Sequence, residues 1–411
     1  MRARAPSNAS ATMTTTRIPL LAVFLLHCGS EVSLTGAGSA EGGARTPSEP
    51  AVDPSDDVTP PPSPKECVSG ASECVADRPR RCDDDGRWQV EAACGDSARC
   101  RAGACVALAV PSCAAPGAGR SDCGADGDCC ASPYVPGGSF FVGTRLVIDE
   151  AGEIVSEYDR REDAPRADVS AFRLDAYPVT VGRVRPFVRA VLQGWRPRGG
   201  DGVHTHLRGG RGLAHRGGDE TGWNPGWDHD LEEWSDAWNA PSGSPQCQSD
   251  MTWSDTVGAR EKVAANCLNG VAAYAFCIWD QGFLPSWTEW QYAAAAGAEQ
   301  RTYPWGEDAP TAAHVEVGLA SARELGAVDA KPHGRGRWGH WALLGGPAAR
   351  ALDGDAPRDP ACSDCYAPGA AKRPSMVLGG YFNSAEVPKS FDYDFSGGPS
   401  QYYGIRCART P

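Results

Sequence analysis

The stretch Leu284-Pro285-Ser286-Trp287-Thr288-Glu289-Trp290-Gln291-Tyr292-Ala293-Ala294 carries the local code of a helix start. Ser286 and Glu289 stand three residues apart as a capping box, in which a hydroxyl and a carboxylate each satisfy an orphan backbone N–H. The spacing predicts a helix from Trp287 to Ala296, stopped by Gly297. Upstream, Leu268 to Trp279 repeats Val271, Tyr274, Ala275 and Ile278 at helical spacing. Earlier still, Thr180 caps a helix to about Gln193, with Val184, Phe187, Val188, Val191 and Leu192 on one face. Strand-like alternation appears at Gly138 to Gly143 and Phe172 to Val179. Between the first two helices, Arg196 to Glu261 reads as a long irregular stretch holding Trp223, Trp227, Trp234, Trp238 and Trp253. These rings are the candidate ligand-binding residues, since aromatic surfaces grip peptides or glycans at low entropic cost. The competing and favoured account is that they staple the loop to the core.

Composition bounds the rest. With 49 Gly and 33 Pro in 411 residues, loops should dominate, and 41% hydrophobic residues with 13 Trp still suffice for one sizeable core. The net charge of −13, with no basic stripe, argues against nucleic acid as a partner.

The N-terminus gives the compartment. Ile18 to Leu26 is a nine-residue apolar run, too short to span a bilayer and suited to a signal peptide, residues 1–27. Leu25-Leu26-His27-Cys28 looks like a lipobox that would place a lipid on Cys28, although His27 stands where a small residue is expected. Any membrane contact would then be through that N-terminal lipid alone. Residues 28–65, rich in Gly, Ser, Ala and Pro, form a low-complexity stalk. Residues 66–131 carry ten cysteines from Cys67 to Cys130 and little apolar mass, so disulfides must hold this module together, as a spacer rather than a recognition module. Six further cysteines, Cys247, Cys267, Cys277, Cys362, Cys365 and Cys407, lie in the globular part, residues 132–411. Both sets are even, as internal pairing requires.

With these blocks in order, residues 132–411 resemble the formylglycine-generating-enzyme, or sulfatase-modifying-factor, domain family, in the form exported by bacteria as disulfide-bearing lipoproteins. The likeness rests on Pro136-Gly137-Gly138-Ser139-Phe140-Phe141-Val142-Gly143, Phe172-Arg173-Leu174-Asp175, Ala273 to Trp279, the Leu284 to Ala294 block with Tyr303-Pro304-Trp305-Gly306 after it, and the closing Tyr403-Gly404-Ile405-Arg406-Cys407-Ala408-Arg409. It implies an α+β, irregular, loop-rich fold of the C-type-lectin-like kind after the small disulfide-rich module. It also implies that Cys407 is tied to Cys277 or Cys267.

The departures bear on function. Active members carry two cysteines five apart whose thiolates bind copper(I) and oxidise a substrate cysteine. Here the block before that pair is Leu378-Gly379-Gly380-Tyr381-Phe382, and no Cys lies between Asn383 and Arg406. A second block falls on Ala342 to Arg350, where only Leu343 and Gly345 survive. In the family's calcium loop, no carboxylate stands between Asp308, which adjoins Glu307, and Glu316.

Other motifs are weaker. Cys362-Ser363-Asp364-Cys365 is a CxxC without a helix N-terminus to activate it, so structural disulfides are expected of both cysteines. His204, His206, His215, Asp219, His229 and Asp230 are zinc-ligand types at loose spacing in a Gly-rich loop, and solvated histidines are expected instead. Gly334-Arg335-Gly336-Arg337-Trp338-Gly339 satisfies GxGxxG without a strand before it. The expectation is an envelope protein, on the outer membrane or cell surface and otherwise periplasmic or secreted. Its domain is a pseudoenzyme that binds a protein, peptide or glycan without a cofactor. The alternative is an oxidoreductase of the formylglycine-generating type with non-standard ligands, for which copper or calcium would be needed.

Overall fold

In the computed structural model the described residues are 65–411 except 126, 143–144, 149–153, 158–164, 240–249, 355–361, 370–372, 391–392, 396–397 and 399. The signal peptide, Cys28, the stalk up to residue 64 and Cys247 lie outside them.

The cysteine-rich stretch folds as two small antiparallel pieces. Ser72–Val75, Arg78–Cys82 and Trp88–Val90 form one sheet, and Ala98–Arg101 pairs with Ala104–Ala107. Cys67–Cys82, Cys74–Cys100, Cys94–Cys105, Cys113–Cys130 and Cys123–Cys129 are bonded, so all ten cysteines pair within the stretch. Buried polar contacts join it to the larger part of the chain. Arg173 pairs with Asp77 and donates to the Ser132 carbonyl at 2.7 Å, while Asp280 accepts the Ser112 N–H at 2.9 Å.

Among the described residues four α-helices build that larger part: α1 Val181–Leu192, α2 Asp228–Asn239, α3 Gly270–Trp279 and α4 Trp287–Ala294. Thr180 caps α1, Asn269 caps α3, and the Ser286–Glu289 capping box opens α4. Helix α2 lies inside the stretch expected to be irregular. Its Leu231, Trp234 and Trp238 recur at helical spacing and are buried, while Asp228 and Asp230 suit its positive N-terminal end.

Phe172–Leu174 runs between Tyr134–Val135 and Ala408–Arg409, so the first and last blocks of the domain are joined through one antiparallel sheet. Cys277–Cys407 then ties α3 to the closing strand, and Cys267 is a separate, buried residue of the core. Beneath this junction four buried charges interlock. Arg183 reaches Asp175 at 2.9 Å and Asp280 at 2.7 Å, and Arg409 reaches Asp280 at 2.8 Å and also pairs with Asp175. Each acid faces two guanidinium groups, which offsets the desolvation that burial imposes.

Two apolar clusters flank the network. One gathers Phe187, Phe276 and the tryptophans around α1, α2 and α3; the other packs Phe140, Phe172, Trp290 and Tyr292 around α4. Trp223, Trp227, Trp234 and Trp238 are all buried, and Trp253 is half-buried with its ring 5.0 Å from that of Trp238. Their offer as a ligand-binding surface is therefore corrected: the rings face one another and the core, where burying aromatic area stabilises the long loop.

Candidate functional site

The two divergent sequence blocks meet in one sheet. Ala348–Arg350 pairs antiparallel with Met376–Leu378 and parallel with Tyr403–Gly404, and the Gly345 N–H donates to the Gly379 carbonyl at 2.8 Å. Gly379 has φ +88°, and a Cβ there would meet the Leu343 carbonyl oxygen, so only a residue without a side chain fits at this position. Beyond the strand, Tyr381 lies 5.7 Å from Tyr402 and 6.0 Å from Tyr403, ring to ring, and donates its O–H to Asp394. Burial and the Asp394 carboxylate raise the Tyr381 pKa. Arg350 lies 4.3 Å from the Tyr403 ring, and burial lowers its pKa to about 10.

A cleft opens beside this sheet, lined by His314, Glu316, Lys331 and the turn Ala342 to Pro347, with Val315, Leu325, Val328 and Leu344 as apolar walls. Glu316 Oε1 accepts the Gly326 N–H at 2.9 Å. Burial raises its pKa, and the Gly326 N–H and Lys331 oppose that rise. His314 Nδ1 accepts the Thr311 N–H at 3.2 Å, and its ring stacks on Trp305, which stacks on Tyr303.

The residues do not fit the family's metals. Copper(I) needs paired thiolates, yet Cys277–Cys407 and Cys362–Cys365 are disulfides and the segment from Asn383 to Arg406 contains no cysteine. Among the described residues, sulfur and carboxylate atoms crowd together at Asp128 and at Asp122, but the cysteines there are disulfide-bonded. For calcium, Glu307 is committed to the Thr302 N–H and hydroxyl at 2.9 and 2.7 Å, the Asp308 carbonyl accepts Trp305 Nε1–H, and Glu316 accepts from Gly326. These acids do not converge on one centre.

The histidines disperse as well. His215 approaches the Asp219 carbonyl at 3.2 Å, His229 pairs with Glu233 on the exposed face of α2, and Asp230 pairs with Arg373. His204 is not a solvated loop residue but a buried one, 3.0 Å from Glu220 and 3.1 Å from Glu289. Burial alone would lower its pKa, but Glu220 and Glu289 overcome that and push it up to about 10. Burial lowers neighbouring His206 to about 4, beside Phe283. Glu289, legible in sequence as a cap, is thus also half of an ion clamp. Glu220, Glu316 and Lys331 carry no sequence signal of a site, because the groups they meet lie apart along the chain.

Cys362 and Cys365 bond to each other. The turn they close is fixed by Asp364, φ +45°, whose carboxylate accepts the Ser170 N–H and hydroxyl, both at 2.7 Å. Seven disulfides among the described residues suit an oxidising compartment, and no helix among these residues is long and apolar enough to cross a membrane.

Comparison with known proteins agrees with the sequence blocks. Residues 126–339 match the sulfatase-modifying factor enzyme 1-like domain. The chain is 28% identical over 222 residues to hercynine oxygenase of Mycolicibacterium smegmatis, covering 52% of this chain and 43% of that protein. It is also 28% identical over 186 residues to the inactive C-alpha-formylglycine-generating enzyme 2 of Mus musculus, covering 42% and 50%. The chain thus spans about half the length of these relatives. Among solved structures, PvdO from Pseudomonas aeruginosa aligns with 72% of this chain and 100% of its own at 16% identity and a TM-score of 0.39. With the matched domain covering more than half of its residues, the chain belongs to the sulfatase-modifying factor enzyme 1-like family.

Proposed function

We propose that this is an exported cell-envelope protein, held by a lipid on Cys28, whose domain binds a partner or ligand instead of oxidising cysteine. The observation that carries this reading is the absence of any cysteine between Asn383 and Arg406, where copper-binding members need their thiolate pair. The disulfide state of Cys277, Cys362, Cys365 and Cys407 supports it, because none of these sulfurs is a thiolate. One relative is itself named inactive, which makes the family compatible with a role other than oxidation.

The oxidoreductase reading draws on the likeness to hercynine oxygenase. It requires ligands outside the positions at which copper-binding members hold theirs. Oxygen uptake by the full chain, supplied with copper(I) and a cysteine-bearing peptide, separates the two. The binding reading expects uptake no faster than the same mixture without protein, and uptake that scales with protein concentration would overturn it.

A further inference from the structure

Among the disulfides of the described residues, Cys362–Cys365 differs from the rest in three ways. It closes the shortest loop, its cysteines standing 3 positions apart against 6 to 130 for the others. A bridge across so short a loop removes little freedom from the unfolded chain, so the fold in turn does little to keep that bridge closed.

The turn also holds without its bridge. The Asp364 N–H donates to the Asp168 carbonyl at 2.9 Å, and the Ala214 N–H donates to the Asp364 carbonyl at 2.8 Å. The Tyr366 N–H reaches the Ala214 carbonyl at 3.0 Å, and the Thr288 hydroxyl reaches the Cys365 carbonyl at 3.0 Å. With Ser170 donating to the Asp364 carboxylate as well, hydrogen bonds alone fix the backbone around both sulfurs.

Finally, solvent reaches the pair. Cys362 is half-buried, whereas Cys123–Cys129, the next shortest loop, and Cys277–Cys407 are buried at both ends. The other accessible bridges lie in the cysteine-rich stretch, where cross-links stand in for a missing apolar core.

We propose that Cys362–Cys365 is an exchange disulfide that oxidises an external dithiol. A thiolate of the dithiol attacks Cys362 Sγ; a new S–S bond forms there, the Cys362–Cys365 bond breaks, and Cys365 leaves as a thiolate that takes up a proton. The dithiol's second thiolate then attacks its own first sulfur, which closes the dithiol into a disulfide and releases Cys362, protonated in turn. Two electrons and two protons pass from the dithiol to the bridge. The attacking sulfur belongs to the incoming molecule, so the resting domain still offers no thiolate for copper. The inference goes beyond the binding reading and does not rest on it.

Equilibration of the full mature chain with graded ratios of reduced to oxidised dithiothreitol, then trapping with N-ethylmaleimide and peptide mass mapping, tests it. Cys362 and Cys365 should be labelled first, at a ratio about tenfold or more below that which opens any other bridge. One equivalent of oxidised dithiothreitol should form per chain, with the circular dichroism spectrum unchanged. The Cys362→Ala/Cys365→Ala variant should fold and lack that first equivalent. Because the order of opening is read on the unaltered chain, the result does not depend on the variant folding. Opening of Cys362–Cys365 together with or after another bridge, or loss of the folded spectrum when it opens, overturns the exchange site.

Discussion

Glu289 caps helix α4 and clamps His204 with the same oxygen: Oε2 accepts the Ser286 N–H at 2.7 Å and lies 3.1 Å from His204 Nε2. A motif that reads locally as a helix start therefore also anchors the distant Gly-rich loop, whose Glu220 takes the other imidazole nitrogen. Glu289→Ala should cost about 3–5 kcal/mol, since it strips the cap and leaves buried imidazolium with one partner. Denaturant unfolding measures this, and a loss no larger than that of a surface cap, about 1 kcal/mol, would mean the clamp is absent.

The same clamp sets a pH profile. His204 is raised from 6.5 to about 10, so its stabilisation is complete below about pH 6.5 and is lost as pH rises through about 10. Glu289 is lowered from 4.5, with burial opposing and His204 favouring its charged form, so its stabilisation is present above about 4.5 and is lost in acid. Melting temperature against pH should fall on both flanks. In Glu289→Gln, the alkaline fall should begin at lower pH, because only Glu220 still faces the imidazole.

Asp280 joins the cysteine-rich stretch to the domain, accepting from Ser112, Arg183 and Arg409. Asp280→Ala should cost about 3–5 kcal/mol by leaving buried guanidinium groups unmatched. It should also speed limited proteolysis between residues 66 and 131, read by mass spectrometry. Unchanged cleavage there would show that the stretch is held without this contact.

Trp238 is interior, with its ring 4.9 Å from Trp234 and 5.0 Å from Trp253. Trp238→Ala should lower stability by about 3–5 kcal/mol. If Trp238→Ala left stability intact and abolished glycan or peptide binding, the recognition role considered for these rings would return.

Removing the Cys277–Cys407 bridge, whose cysteines stand 130 residues apart, should cost about 2–5 kcal/mol in the Cys277→Ala/Cys407→Ala double variant. Equilibrium unfolding in denaturant provides the comparison.

Legibility in the sequence is local. Thr180 and Ser286 announce α1 and α4 because caps act within three residues, and the order of the blocks carries the fold. Helix α2 is obscured by its acidic polar face, although Leu231, Trp234 and Trp238 keep helical spacing. His204 reads as a solvated loop residue because its two carboxylates come from 16 and 85 positions away. The cleft is hidden for the same reason: Glu316, Lys331 and the turn at Gly345 converge only in three dimensions.

The central claim is that the domain has no thiolate chemistry. Alkylation of the native, mature chain, with intact-mass and copper analysis of the product, tests it most directly. No cysteine should be alkylated before reduction, and no copper should be bound. Two cysteines alkylated in the native state, with one copper bound per chain before treatment, would contradict it.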